Sequence, residues 1–151
     1  MHLAQAWEAL SGEHRQFGFV AALEQSPPYA EFSYIIPMTL QSDGSMVAVA
    51  ILIERHDACT VASMMFDAPS SDLPDEDLRD ACSEVCNIFA ECITKHLTQT
   101  EGVSVGLPFM LNESNYHHVF DASGNRDVYQ SVEGSACLAV MVFTPSEPAT
   151  E

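Results

Sequence analysis

Cations are scarce in this 151-residue chain: 5 Lys and Arg stand against 22 Asp and Glu, for a formal net charge of -17. A nucleic-acid surface calls for cations that displace phosphate counterions, and an anionic membrane surface attracts basic segments, so both partner classes are disfavoured. Long apolar runs are also missing. The longest, Met46 to Ile53, has strand length and falls well short of the roughly 20 residues that span a bilayer. The opening Met1-His2-Leu3-Ala4 offers no basic start for export. Cysteines number 5, an odd count that fits free thiols better than a disulfide framework, so the expectation is a reducing, cytoplasmic protein. No G-x-S-x-G, P-loop or dinucleotide fingerprint occurs. What is present is a 47% hydrophobic composition, enough to build a packed core in a chain of one-domain length.

Periodicity assigns most of the elements. Residues 2–11 carry Leu3, Ala6, Trp7 and Leu10 on one side of a short helix that Gly12 ends. Residues 13–26 fit a strand or a helical piece equally, and Pro27-Pro28 breaks the chain. Two apolar runs, 31–39 and 45–54, flank Asp43-Gly44, a strong hairpin signal. Pro37 has no N–H to donate, which predicts an edge strand or a bulge. Residues 56–66 have near-helical spacing, 67–74 form a polar loop, and the clearest helix runs from Asp75 to Leu97. Beyond it, 102–111 reads as one strand, 113–127 as a polar loop, and 128–132 with 136–143 as a second hairpin; Pro145 opens a frayed tail, 145–151. Hairpins and helices in mixed order predict an α+β fold, with a mixed sheet of about five to six strands packed with three to four helices.

The long helix could carry chemistry. At about 100° per residue, Leu78, Ala81, Cys82, Val85, Ile88, Phe89, Cys92, Ile93 and His96 share one broad face, the core side. Asp80, Glu84, Asn87 and Glu91 follow one another on the opposite side. Most such ridges are simply solvated. Asn87 stands out, because asparagine is a poor mid-helix residue whose amide competes for backbone hydrogen bonds. A Glu and an Asn one turn apart offer a carboxylate and a neutral amide to one external group. That suits holding a cation while positioning a water beside an electrophile.

The run Asp80-Ala81-Cys82-Ser83-Glu84-Val85-Cys86-Asn87 fits a pattern of Asp or Ser, three residues, Glu, two residues, Asn. With the Asp43-Gly44 hairpin before it, and Val103-Ser104-Val105-Gly106-Leu107-Pro108 and a closing hairpin after it, the chain resembles the CheC/CheX/FliY family of chemotaxis phosphatases. The resemblance covers residues 31–143; the first thirty match less clearly. It implies a single CheX-like domain over 1–151 that hydrolyses the aspartyl phosphate of a CheY-like response regulator. In the family the Asn amide orients the attacking water and the Glu pairs with the regulator's lysine. Those roles fall on Asn87 and Glu84, with Asp80 and Glu91 on the docking ridge. Mg²⁺ belongs to the regulator, so no metal or cofactor of the chain's own is implied. CheX-type members also form dimers, and an open sheet edge would suit one. The motif occurs once, as in CheX; Glu113-Ser114-Asn115 has the wrong spacing for a second, and Ala90 stands where glycine is common. Some relatives keep the fold as a non-catalytic docking module in signalling or flagellar-switch assemblies, and that is the alternative.

Other candidates weigh less. Cys82 with Cys86, and Cys92 with His96, each have ligand spacing on a helix. The span from Cys82 to His96 is about 21 Å at 1.5 Å per residue, too long for one four-ligand site. Buried thiols are the ordinary reading. His117 and His118 fall in the polar loop with no evident ligand partners, and Trp7 reads as packing.

Overall fold

The computed structural model describes residues 3–20, 29–40, 44, 46–97, 102–121, 123–133 and 136–145. In chain order the elements are α1 (Leu3–Ser11), β1 (Gly18–Val20), β2 (Phe32–Leu40), β3 (Met46–Ile53), α2 (Arg55–Phe66), α3 (Asp75–Leu97), β4 (Val103–Val105), β5 (Phe109–Leu111), α4 (Glu113–Asp121), β6 (Ser123–Glu133) and β7 (Ala136–Pro145). A 3₁₀ turn, Ser70–Asp72, lies between α2 and α3. The strands form one sheet in the order β1-β6-β7-β3-β2-β4, with β5 also on β2. Every described pairing is antiparallel, so the sheet is not mixed, while the α+β class stands.

The sheet is buried on both faces, which explains the nearly unbroken apolar runs of β2, β3 and β7. Side chains alternate between faces along each strand. Val49, Ile51 and Ile53 of β3 join Phe32, Tyr34, Ile36 and Met38 of β2 in the larger core, together with Trp7, Val61, Val85 and Phe89 from α1, α2 and α3. Ala48, Ala50 and Leu52 face the other way, into a smaller core with Met141, Phe143 and the α4 residues Tyr116 and Phe120. Three helices thus cover one face and α4 contributes to covering the other. Burying a side chain of the size of Phe89 or Ile51 stabilises the fold by about 1.5–3 kcal/mol.

Three further sequence readings change. Pro37 marks neither an edge nor a bulge. The β2–β3 register runs unbroken from Phe32 opposite Ile53 to Thr39 opposite Met46. On its other side β2 pairs with β5 through Ser33–Ile35 and with β4 through Met38–Leu40. Ile36 and Pro37 face the gap between them. The Gly106 N–H donates to the Pro37 carbonyl at 2.8 Å. The nitrogen and carbonyl of one strand residue point to the same side, so the donor that Pro37 lacks would have faced the gap.

For the same reason residues 102–111 form two short strands rather than one, broken at Gly106-Leu107-Pro108, which raises the strand count to seven. The third change is in 113–127, where α4 and the start of β6 replace the expected loop. Asn112 caps the helix: its Oδ1 accepts from the Asn115 N–H at 2.8 Å, and Asn115 Oδ1 accepts in return from the Asn112 N–H at 3.4 Å. His117 and His118 therefore sit exposed on a helix. The N-terminal helix and the packing of Trp7 are as expected: Leu3 and Trp7 are fully buried, and within 13–26, which fitted strand or helix equally, β1 pairs with β6.

Both hairpins are present. Gly44 has φ +73°, and its N–H donates to the Leu40 carbonyl at 2.8 Å; the rest of that turn, the 134–135 turn and the expected tail beyond Pro145 lie outside the described residues.

Candidate functional site

The motif helix begins where the sequence dictates. Pro74 cannot continue a preceding helix, and its carbonyl accepts from the N–H groups of Asp77 at 3.0 Å and Leu78 at 3.3 Å. Asp75, Glu76 and Asp77 then lie at the positive end of the helix dipole. Arg55, at the start of α2, fixes this end in space. Its guanidinium pairs through two nitrogens with Glu31, reaches Asp75 Oδ1 and Oδ2 at 3.1 Å each, and lies over the Phe32 ring at 5.5 Å. The Arg55 bonds hold the Asp75 carboxyl below its ordinary pKa.

Along α3 the burial follows the expected face. Leu78, Ala81, Cys82, Val85, Phe89 and Ile93 are buried, and Ile88 and Cys92 are half-buried; the His96 side chain lies outside the described residues. Cys86 and Ala90 are buried as well, extending the core face toward one flank. Asp80, Glu84, Asn87 and Glu91 are all exposed. Glu84 and Asn87 stand about 4.5 Å apart along the axis at 1.5 Å per residue. Among the described residues neither has a hydrogen-bond or ion-pair partner. Glu91 pairs with Lys95 at 3.4 Å across one turn, an exposed contact of small energetic weight. Free polar side chains on a helix whose opposite face is packed give a rigid ridge with unspent hydrogen-bonding capacity.

Tyr34 was not legible as part of this arrangement. From β2 its hydroxyl donates to the Arg79 carbonyl of α3 at 3.3 Å. Burial is the main reason that its phenol resists ionisation. Tyr34 therefore positions the motif helix on the sheet. Nothing in the sequence marks it, because the contact depends on the strand-to-helix register.

The thiols of α3 are poor candidates for chemistry. Burial pushes the pKa of Cys82 up to about 12 and that of Cys86 well above the ordinary thiol value. A thiol held protonated is a weak nucleophile and a weak metal ligand. Among the described residues no group of three His, Cys, Asp or Glu side chains is arranged to hold a metal ion. His117 lies 3.9 Å from Glu113, a long helical pair on the surface. No helix of the described residues is long and apolar enough to cross a membrane.

A single antiparallel sheet with three helices on one face, the longest of them carrying the exposed Glu–Asn ridge, is an architecture of the CheC-like kind. The particular fold is CheX-like. CheX from Vibrio vulnificus superimposes with a TM-score of 0.69 at 10% identity, over 93% of this chain and 92% of that one. A CheX protein from Desulfovibrio desulfuricans gives 0.68 at 11% identity, covering 93% and 91%. CheX from Borrelia burgdorferi, solved as a CheX–CheY–BeF3–Mg²⁺ complex, gives 0.66 at 16% identity, covering 96% and 93%. At these identities the likeness is one of fold. No protein-family profile and no curated protein matches the sequence.

Proposed function

We propose that this protein accelerates hydrolysis of the aspartyl phosphate of a CheY-like response regulator. The observation that carries the reading is the pair Glu84 and Asn87, exposed and without described partners, on the motif helix of a CheX-like fold. A neighbour of that fold has been solved with CheY, BeF3 and Mg²⁺, which supports a regulator of that kind as the partner. A cytoplasmic setting follows from that partner.

The chemistry suits these side chains. A water oxygen attacks phosphorus, the bond from phosphorus to the acyl oxygen breaks, and the products are the free aspartate and inorganic phosphate. Phosphoryl transfer passes through a loose transition state, so placing the water in line counts for more than a strong base. The Asn87 amide can accept a hydrogen bond from that water without bringing negative charge to the phosphoryl oxygens. Glu84 supplies a carboxylate to the regulator's lysine, fixing Asn87 against the phosphorylation site. Asp80 and Glu91 flank the pair on the same ridge and contact the regulator's surface. Mg²⁺ held by the regulator neutralises charge on the phosphoryl group, and this chain contributes no ligand to it.

The test is the rate of dephosphorylation of a panel of phosphorylated CheY-like receiver domains in Mg²⁺. Wild type is expected to accelerate the reaction for at least one member. Asn87→Ala is expected to abolish the acceleration, and Glu84→Ala to act mainly by weakening binding. Binding by wild type without acceleration would favour the second reading, a docking domain of the same fold in a signalling or flagellar-switch-like assembly. Self-association through a sheet edge is a separate proposal; it would have to use β1 or the β4/β5 side, the two outer positions of the described sheet.

A further inference from the structure

We propose that the broken sheet edge beside α3 is a second docking element for the regulator, with Val105, Leu107 and Met110 seating an apolar patch of the receiver domain next to the Glu84–Asn87 ridge. This rests on the regulator reading above.

Residues opposite one another in an antiparallel pair project to the same face. Met110 is opposite Tyr34, and Val105 is opposite Met38. Tyr34 and Met38 both belong to the core beneath the helices. Met110 and Val105 therefore project on the α3 side of the sheet, yet they remain 42% and 45% exposed. Between them Leu107 is 85% exposed. The Tyr34 hydrogen bond to the Arg79 carbonyl ties this part of the sheet to α3, and Arg79, Ser83 and Asn87 follow one another at four-residue steps along one row of that helix. Ridge and apolar edge thus belong to one continuous side of the molecule.

The turn that presents Leu107 is built rigidly. Gly106 lies so close to Pro37 that an added Cβ would meet its Cγ at 2.7 Å, and the Gly106 N–H is bonded to the Pro37 carbonyl. A preorganised apolar projection loses little freedom on binding.

Two features favour a regulator over a second copy. A second copy adding strands here would meet β4 and β5, three residues each with Pro108 between them, and short interrupted edges resist strand addition. Electrostatics points the same way. A second copy would carry the same net charge of -17, so long-range repulsion opposes the pairing of two copies at this edge.

Phe109 provides the internal control. It is 54% exposed, but opposite Ile35 it projects to the other face of the sheet. Met110→Ser and Leu107→Ser are expected to raise KM for the phosphorylated receiver domain about tenfold, with a far smaller change in kcat. Affinity for the BeF3-activated receiver domain should fall by the same factor, and Phe109→Ser should match wild type in both assays. Leu107 is too exposed for its loss to unfold the chain. Unchanged KM and affinity in both Met110→Ser and Leu107→Ser, with wild type active, would overturn this proposal and leave the phosphatase reading standing. A variant that alters only self-association in sedimentation would assign the edge to a second copy and overturn it too. No acceleration by wild type with any receiver domain removes the functional reading, and this one falls with it.

Discussion

Arg15 Nη1 lies 2.6 Å from Asp57 Oδ1, and both side chains are buried. The same guanidinium donates from Nε to Ser131 Oγ at 2.9 Å and from Nη2 to the Ser131 carbonyl at 3.3 Å, and it sits 6.0 Å from the centre of the Trp7 ring. This one side chain ties the segment after α1 to the first turn of α2 and to β6. Removing one partner strands a charge in the interior. Asp57→Ala or Arg15→Met is expected to destabilise the fold by about 3–5 kcal/mol. Urea unfolding checks this, and the double variant Arg15→Met/Asp57→Leu is expected to recover much of the loss because it removes both desolvated charges. Single-variant losses below about 1 kcal/mol would mean that the pair behaves as a solvated surface contact.

The ridge on α3 should be dispensable for folding. Glu84 and Asn87 are exposed and bond to nothing else described, so their removal leaves no orphaned group. Asn87→Ala replaces a weak helix former by the best one and is expected to raise stability by a few tenths of a kcal/mol, within about 0.7. Thermal unfolding of Glu84→Ala and Asn87→Ala measures this. A loss of more than about 1 kcal/mol in Asn87→Ala would assign the amide a structural role and count against the catalytic role proposed for it.

Gly106→Ala probes the break in the sheet edge. The new methyl group would lie 2.7 Å from Pro37 Cγ and 3.3 Å from the Pro37 carbonyl oxygen, and a proline ring has little freedom to yield. The expected cost is about 1–3 kcal/mol, as for other overpacked sites. The melting temperature should fall accordingly, and amide exchange at Gly106 should quicken as its bond to Pro37 loosens.

The junction of α2 and α3 should respond to acid. Hydrogen bonds from Arg55, reinforced by its charge, lower the Asp75 pKa from 3.8. A lowered folded-state value means a contribution to stability that is present above the unfolded-state pKa and lost as the pH falls through the folded one. Asp75 should thus titrate below 3.8 in a carboxyl-detected NMR experiment, and Arg55→Gln should return it toward the ordinary range. An unshifted midpoint in wild type would show that the bonds do not persist in solution.

Much of the molecule was legible because its signals are local. The α3 boundaries followed from Pro74, the acidic first turn and a long 3.6-residue period. The β2–β3 hairpin followed from Asp43-Gly44 between apolar runs. The ridge of Asp80, Glu84, Asn87 and Glu91 followed from spacing alone, since a face opposite nine core-type positions has nowhere to go but outward. What escaped was short or non-local. Helix α4 offers only Tyr116, Val119 and Phe120 among polar residues, and its Asn112–Asn115 cap looks like a loop until the backbone closes on it. Residues 102–111 read as one strand although Gly106 and Pro108 lie within them; only the neighbour's Pro37, opposite the break, turns that local signal into two strands.

Helical periodicity, turn chemistry and capping act within a few residues, so the sequence by itself determined the helix, its two faces and the type of side chain on the exposed one. The tertiary structure alone decided which strand lies beside which. It put Tyr34 under Arg79, Arg15 against Asp57, and Pro37 opposite a gap rather than at an edge. These relationships join positions 42 to 69 residues apart, and no local preference encodes a partner at that distance. They exist because the sheet must bury both faces and satisfy its backbone at once.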